Sequence, residues 1–172
     1  MPPPGKVDRK LDEFWEGNPW RISSQHNLSG YERNRVYLNV AGQNFLDMSY
    51  LTGADSDGDA RCAVAADLNG DGRNELIVRQ VSGGALLVFE NNFPPRHWLK
   101  VSLRGVKSNR LGIGARLTAT VGDRKIVRHL FPVNSYRSQA PCLVHFGLGD
   151  AEVVDSLSIR WPSGIEQTVM EV

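Results

Sequence analysis

Short apolar segments separated by glycine, asparagine and aspartate constrain the fold of this chain more than any other feature. Five of them precede residue 92: "RVYLNV", "NFLDMSY", "CAVAAD", "ELIVRQ" and "ALLVFEN". No segment sustains apolar residues at the 3.6-residue spacing of an amphipathic helix. Short apolar runs bounded by turn-forming residues predict antiparallel strands. We therefore expect an all-β fold with little helix.

A faint internal repeat indicates how the first half is organised. The segment "RVYLN" at 35–39 resembles "LVFEN" at 87–91, an offset of 52 residues. That interval is the size of one propeller blade, so residues 31–95 are predicted to form propeller-blade-like antiparallel strands with about one and a half blades. A lone blade cannot bury both faces and leaves strand edges open. Protein partners, or copies of the chain itself, are expected along those edges.

Two prolines in "NNFPPRHW" separate this region from a second one. The following segments, several of which alternate apolar and polar residues, are "WLKVSLRG", "GARLTATVG", "RKIVRHLF", "CLVHFGLG" and "VDSLSIRWPSG". They predict a C-terminal β-sandwich over residues 96–172. Residues 1–30, which hold four prolines, are predicted to be an irregular arm.

The stretch "DLNGDGRNE", residues 67–75, concentrates oxygen-bearing side chains between two predicted strands. Ca²⁺ binds six to eight oxygens, and a glycine at the sixth loop position permits a sharp turn. The spacing predicts a calcium loop with the ligands Asp67, Asn69, Asp71, the Arg73 carbonyl and Glu75, while the Arg73 side chain points away. Asp59, in the preceding "DSDGD", is a candidate additional ligand. An Asx-rich turn without metal and a different dication remain open alternatives.

The charge of the chain is unevenly distributed, although its net value is only +1. Residues 96–137 hold ten Lys and Arg against one acid, Asp123. Such a block favours contact with an acidic glycan or another polyanion if its members share one face. A solvated or internally paired face is the alternative. Nucleic acid is less favoured, because few aromatic residues are interleaved with the basic ones.

Other chemistry is poorly supported by the sequence. There is no GxSxG elbow, no HExxH helix and no His pair at metal-ligand spacing, so we expect no enzyme. Cys62 and Cys142 are expected to be free thiols, with one long-range disulfide as the alternative. No apolar run approaches the roughly 20 residues of a membrane span, and the N-terminus does not resemble a signal peptide. The chain is therefore either cytosolic or a mature piece of an exported protein.

Two longer stretches resemble known families. "AVAADLNGDGRNELIV" resembles the FG-GAP/VCBS repeat of calcium-binding β-propellers. "SNRLGIGAR", "HFGLGD" and "IRWPSG", in this order, resemble the ASPIC/UnbV domain that closes cartilage acidic protein-like chains. The resemblance implies bound Ca²⁺, an extracellular or cell-surface location and a role in adhesion or matrix contact. With the open strand edges, we expect a binding, adhesion or structural-assembly module. Within the basic region, a minor ligand-binding role is predicted for Arg110, Arg116 and Arg128.

Overall fold

The computed structural model describes residues 32–80 and 84–172, so the predicted arm at 1–30 lies outside the described residues. Regular structure in the described part consists of thirteen strands and one short helix. The first elements are β1 (Tyr37–Val40), β2 (Asn44–Asp47), α1 (Ser49–Thr52), β3 (Ala60–Ala66), β4 (Glu75–Gln80) and β5 (Leu87–Phe89). The later strands are β6 (His97–Val101), β7 (Arg116–Val121), β8 (Arg124–His129), β9 (Val133–Ser135), β10 (Ser138–Gln139), β11 (Val144–Gly149), β12 (Ser156–Arg160) and β13 (Glu166–Met170). The predicted all-β fold is confirmed.

Contacts divide the chain into two compact units. Among the described residues, the first unit holds 32–61, 78–80 and 84–87, and the second holds 62–77 and 88–172. Strands β3, β4 and β5 form a three-stranded sheet in that order. Strand β4 has the predicted bounds, and β5 is shorter than the predicted segment at 85–91. Within the described residues the sheets neither close into a barrel nor form a propeller.

The predicted hairpin at the start of the first unit is confirmed. Strands β1 and β2 pair antiparallel, and their turn uses left-handed backbone at Ala41 and Gly42, with φ of 52° and 74°. The second strand ends at Asp47, three residues before the end of the predicted segment, and α1 follows. The cause is local, because Asp47 Oδ1 accepts a hydrogen bond from the Ser49 N–H at 3.0 Å. Such an Asx turn competes with continued strand pairing.

Two antiparallel sheets in the second unit share one core. The larger has the order β13-β12-β7-β8, and the smaller pairs β11 with β6. Alternate residues of these strands point inward, and the fully buried centre includes Leu117, Phe146 and Val154. All five predicted strand segments are present. Strand β13 and the short pair β9–β10 were not predicted, and every residue of β13 is exposed, so it carries no inward-outward pattern to detect.

The two faces of the smaller sheet carry different kinds of side chain. On β6, Leu99 and Val101 pack against the core, whereas Trp98 and Lys100 alternate with them and face outward. In the antiparallel register, His145 of β11 lies opposite Lys100, which places both on the outer face of the smaller sheet. That outer face carries the candidate site.

Candidate functional site

The loop at residues 67–75, here called the acidic loop, connects β3 to β4 and is organised by its own side chains. Asp67 Oδ1 accepts the Gly70 N–H at 2.6 Å, and Oδ2 accepts the Gly72 N–H at 2.8 Å. Glu75 Oε2 closes the loop by accepting the Leu68 N–H at 2.7 Å. The fold of this loop therefore follows from the spacing of its carboxylates, because each accepts backbone donors that the turn would otherwise leave unpaired.

Asp71 is paired with the neighbouring arginine. Its Oδ1 accepts the Arg73 N–H at 2.8 Å, and its Oδ2 accepts Arg73 Nε at 3.0 Å and Nη2 at 2.5 Å. Arg73 Nη1 also donates to the Phe93 carbonyl at 2.9 Å. The Arg73 side chain, which the spacing left free to point away, therefore turns back to the loop in this structure. A guanidinium fork two residues from a carboxylate can pair with it bidentately, and this contact draws the side chain back to the loop.

Residues of the smaller C-terminal sheet hold the acidic loop from outside. Lys100 Nζ donates to Asp67 Oδ2 at 2.6 Å. His145 Nε2 lies 2.8 Å from the Gly72 carbonyl oxygen, which can only accept, so Nε2 carries the proton. Trp98 stacks on His145 with ring centroids 6.2 Å apart, and Lys100 Nζ lies 5.1 Å from the Trp98 ring. The loop is thus docked on a Trp–Lys–His surface.

Gly72 is the point of closest approach to that surface. Its φ of +85° is in the left-handed region, and a Cβ placed on it would lie 1.7 Å from Trp98 Nε1. Gly70 has a similar φ of +81°, but a Cβ there would meet nothing within 4 Å. Glycine is therefore needed at position 72 for two reasons, backbone conformation and contact with the indole, and at position 70 for the first alone.

Two of the three carboxylates of the loop, Asp67 and Asp71, are paired with cationic side chains. The Asp67 side chain is fully buried, and the hydrogen bond from Lys100 is the main cause that lowers its pKa to about 2. The N–H groups of Gly72 and Gly70 lower the pKa further, while burial opposes them. The pKa of Asp71 is also lowered, chiefly by the hydrogen bonds from Arg73. Both carboxylates are therefore ionised at neutral pH.

Glu75 has a buried side-chain oxygen to which no group of the loop or of the Trp–Lys–His surface donates a hydrogen bond. The residue is 4% exposed, and its Oε1 is buried with no hydrogen-bond partner, although its Oε2 is paired. A buried carboxylate oxygen without a hydrogen-bond donor is unfavourable unless a cation or a water molecule contacts it. This oxygen is chemically suited to a cation.

The predicted calcium ligands do not converge fully in this arrangement. Within residues 32–80 and 84–172, no three His, Cys, Asp or Glu side chains come together as a group that could hold a metal. Asp71 is turned to Arg73, and Asn69 Nδ2 donates to Asp71 Oδ2 at 3.0 Å. Asp59 lies in the first unit, is 2% exposed and pairs with Arg61 Nη2 at 2.7 Å.

The predicted basic ligand residues fall on different surfaces. In β8, Arg128 lies opposite Leu117, on the core side, with its guanidinium 6.0 Å from the Phe146 ring. Arg116 faces the other side, in a row where it lies directly opposite Arg160 of β12 and His129 of β8. Arg110 is exposed in the segment before β7. Arg116 and Arg128 therefore lie on opposite faces of the sheet. The arginine opposite Arg116, Arg160, comes from outside residues 96–137.

The two cysteines and the helix content bear on smaller expectations from the sequence. Cys62 and Cys142 are free thiols and half-buried, so the disulfide alternative is not realised. No helix in the part of the chain that the structure describes is long and apolar enough to cross a membrane.

Trp98, Lys100 and His145 were not predicted to contact the loop. The alternation in "HWLKV" and "VHFGLG" indicates which side chains face outward, but the sequence carries no signal for what packs on that face. The contact joins residues up to 73 positions apart and depends on the tertiary fold.

Comparison with known protein families gives a match. Residues 105–172 match the protein-family model described as ASPIC and UnbV. The matched region begins after β6 and includes β7 to β13. No curated protein matches the chain.

Proposed function

We propose that the chain, with its ASPIC/UnbV region at 105–172, is a calcium-stabilised extracellular module that works by binding, adhesion or assembly rather than catalysis. The observation that carries the calcium part is Glu75 Oε1, a buried carboxylate oxygen without a partner in the acidic loop. The FG-GAP/VCBS-like spacing of the loop supports the same proposal. The extracellular location rests on the family resemblance.

The donor set suits a hard dication. Asp67, Asp71 and Glu75 supply carboxylates, Asn69 an amide oxygen and Arg73 a backbone carbonyl, which are the oxygen ligands that Ca²⁺ prefers. Bound calcium would supply positive charge that completes the coordination of Glu75 and fixes the loop. Asp71 would need to exchange part of its present pairing for the ion, whereas Glu75 Oε1 has no pairing to give up.

Open edges and exposed apolar side chains support the assembly part. In the first unit, Tyr37 is 55% exposed, Phe45 61% and Tyr50 85%, all in or next to the β1–β2 hairpin. In the second unit, β6 and β13 are edge strands, and a groove of about 420 Å³ is lined by residues of both, with Leu157 and Trp161 among its apolar members. Uncovered strands and apolar side chains of this kind invite protein partners or copies of the chain.

Thermal melts with calcium and with chelator test the proposal. Ca²⁺ is expected to raise the melting temperature of the wild type, since a ligand at 100 times its Kd stabilises the native state by about 2.7 kcal/mol. Glu75→Gln should remove most of that rise, whereas Glu152→Gln, at an exposed loop position, should retain it. An unchanged melt of the wild type over millimolar calcium would reject the calcium part. A strict monomer by light scattering at high concentration would count against self-assembly.

A second candidate function is polyanion or glycan binding, and the Arg116–Arg160 pair favours it. Like charges directly opposite each other on neighbouring strands are destabilising, and an anion between them would relieve the repulsion. His129 extends the row on one side, while Glu166 lies opposite Arg160 on the other. The remaining basic residues of 96–137 are partly used internally, because Arg96 pairs with Asp150 and Lys100 with Asp67.

Retention on immobilised heparin tests this candidate. The paired change Arg116→Gln with Arg160→Gln should lower the salt concentration of elution, because surface charge contacts are screened by salt. Arg128→Gln with Lys107→Gln also removes two positive charges, but outside this row, so it is the matched control and should elute near the wild type. Equal elution of all three proteins would reject the row as the binding surface.

A further inference from the structure

Lys100 takes the position of a cation at the acidic loop. Its ammonium donates to Asp67 Oδ2 at 2.6 Å, and the Asp67 side chain is fully buried. The ammonium is also held over the Trp98 ring, 5.1 Å from its centroid, so it is fixed from two sides. Lys100 comes from β6, which is remote in sequence from the loop.

This ammonium uses part of the acceptor capacity of Asp67 that a metal would need. Each carboxylate oxygen has two lone pairs, and Asp67 Oδ2 already accepts one hydrogen bond from the Gly72 N–H and one from Lys100. Asp67 Oδ1 accepts the Gly70 N–H and keeps one site. While Lys100 stays in place, Asp67 Oδ2 is saturated.

A second, independent observation concerns the third carboxylate of the loop, which neither Lys100 on Asp67 nor Arg73 on Asp71 satisfies. Glu75 Oε1 is buried without a hydrogen-bond partner, and the Lys100 ammonium donates to Asp67 instead. One fixed ammonium satisfies one carboxylate, whereas a divalent ion bound among several carboxylates contacts more than one of them.

We propose that Lys100 is an internal competitor for calcium at the acidic loop, so that the ammonium and the ion exclude each other at Asp67. This inference rests on the proposed calcium function. Calcium beside Asp67 would bring a double positive charge next to the ammonium, and Lys100 must then withdraw from the carboxylate. The loop accordingly has an ammonium-held and a calcium-held state, and the exchange between them weakens calcium binding.

Calorimetric titration with Ca²⁺ tests the competition through a matched set of variants. Lys100→Met keeps much of the side chain's apolar length and removes its charge, so it should bind calcium at least tenfold more tightly than the wild type. Lys100→Arg keeps the charge and should bind near the wild-type affinity. Lys107→Met removes an exposed lysine outside this contact and should leave the affinity unchanged, which controls for net charge.

Thermal melts of the same variants in chelator supply a readout that does not depend on calcium affinity. Lys100→Met should melt below the wild type without calcium, because Asp67 then keeps a buried charge without its partner, and calcium should restore the loss. Lys107→Met should melt with the wild type in both conditions.

The possible results separate the inference from the function on which it rests. Tighter binding by Lys100→Met, including binding that appears only in this variant, supports the competition. Calcium binding of equal affinity in the wild type and Lys100→Met would overturn the competition and leave the calcium function standing. No binding to either folded protein would overturn both.

Discussion

The contact between Gly72 and Trp98 leads to a prediction that isolates the docking of the acidic loop. Gly72→Ala and Gly70→Ala place the same methyl group at backbone angles of +85° and +81° in one loop. For both, the left-handed conformation costs about 1–2 kcal/mol for a residue with a Cβ. Only at position 72 does the methyl group also collide, at 1.7 Å from Trp98 Nε1.

The collision sets the expected difference in unfolding free energy. Inserting a methyl group into a filled site costs about 1–3 kcal/mol. If the loop moves away instead, the hydrogen bond from His145 to the Gly72 carbonyl is lost, which costs about 1 kcal/mol. Gly72→Ala should therefore be about 1–3 kcal/mol less stable than Gly70→Ala. At a urea m-value of about 2 kcal/mol/M, this moves the midpoint by about 0.5–1.5 M.

Urea unfolding followed by far-UV circular dichroism measures the difference. Repeating it in a Trp98→Ala background removes the indole, so the two alanine variants should then differ by a few tenths of a kcal/mol at most. Equal midpoints in the wild-type background would show that the loop does not rest on Trp98. A difference that persists without Trp98 would assign the effect to some other contact.

Three further predictions concern acid stability, the core and the hairpin. The pKa of Asp67 is about 2 when folded and about 3.9 when unfolded, so its contribution to the free energy of unfolding is complete above pH 4 and is lost as the pH falls towards 2. Lys100→Met should flatten this part of a pH–stability profile. An unchanged profile would contradict the assigned cause. Phe146→Ala, at a fully buried position, should cost about 3–5 kcal/mol in urea unfolding, against under 0.5 kcal/mol for the exposed Phe131→Ala; similar costs would contradict the assigned core. Ser49→Ala leaves the Val36 N–H without its acceptor at 2.9 Å and should cost about 1–3 kcal/mol by the same assay. Ser102→Ala, which removes an exposed hydroxyl, should cost under about 0.5 kcal/mol, and equal costs would contradict the role of Ser49.

Local chemistry made the elements of this fold predictable from sequence. The run "ELIVRQ" between an acidic turn and a glycine-containing turn became β4 with its expected bounds. The hairpin before it formed because "AGQ" can adopt left-handed backbone between two apolar runs. Strand β13 could not be predicted in this way, because an exposed edge strand needs no apolar face and is defined by its pairing with β12.

The candidate site was predictable only in its local part. The spacing of Asp67, Asp71 and Glu75 indicated a loop built around carboxylates, and those side chains do organise it. The partner cations were not predictable in the same way. Arg73 was expected to point outward because a metal was expected inside, and Lys100 is brought to the loop by a strand pairing that the sequence does not encode locally.

Strand β6 lies outside the region that matches the family model, yet it belongs to the core that this region forms. The match to ASPIC and UnbV starts at residue 105, yet β6 at His97–Val101 pairs with β11 and packs Leu99 and Val101 against the shared core. A polypeptide cut at the family boundary would lose one of the two strands of the smaller sheet and expose the pairing edge of β11. A separate peptide that spans β6 should then pair with β11 and restore the smaller sheet to residues 105–172.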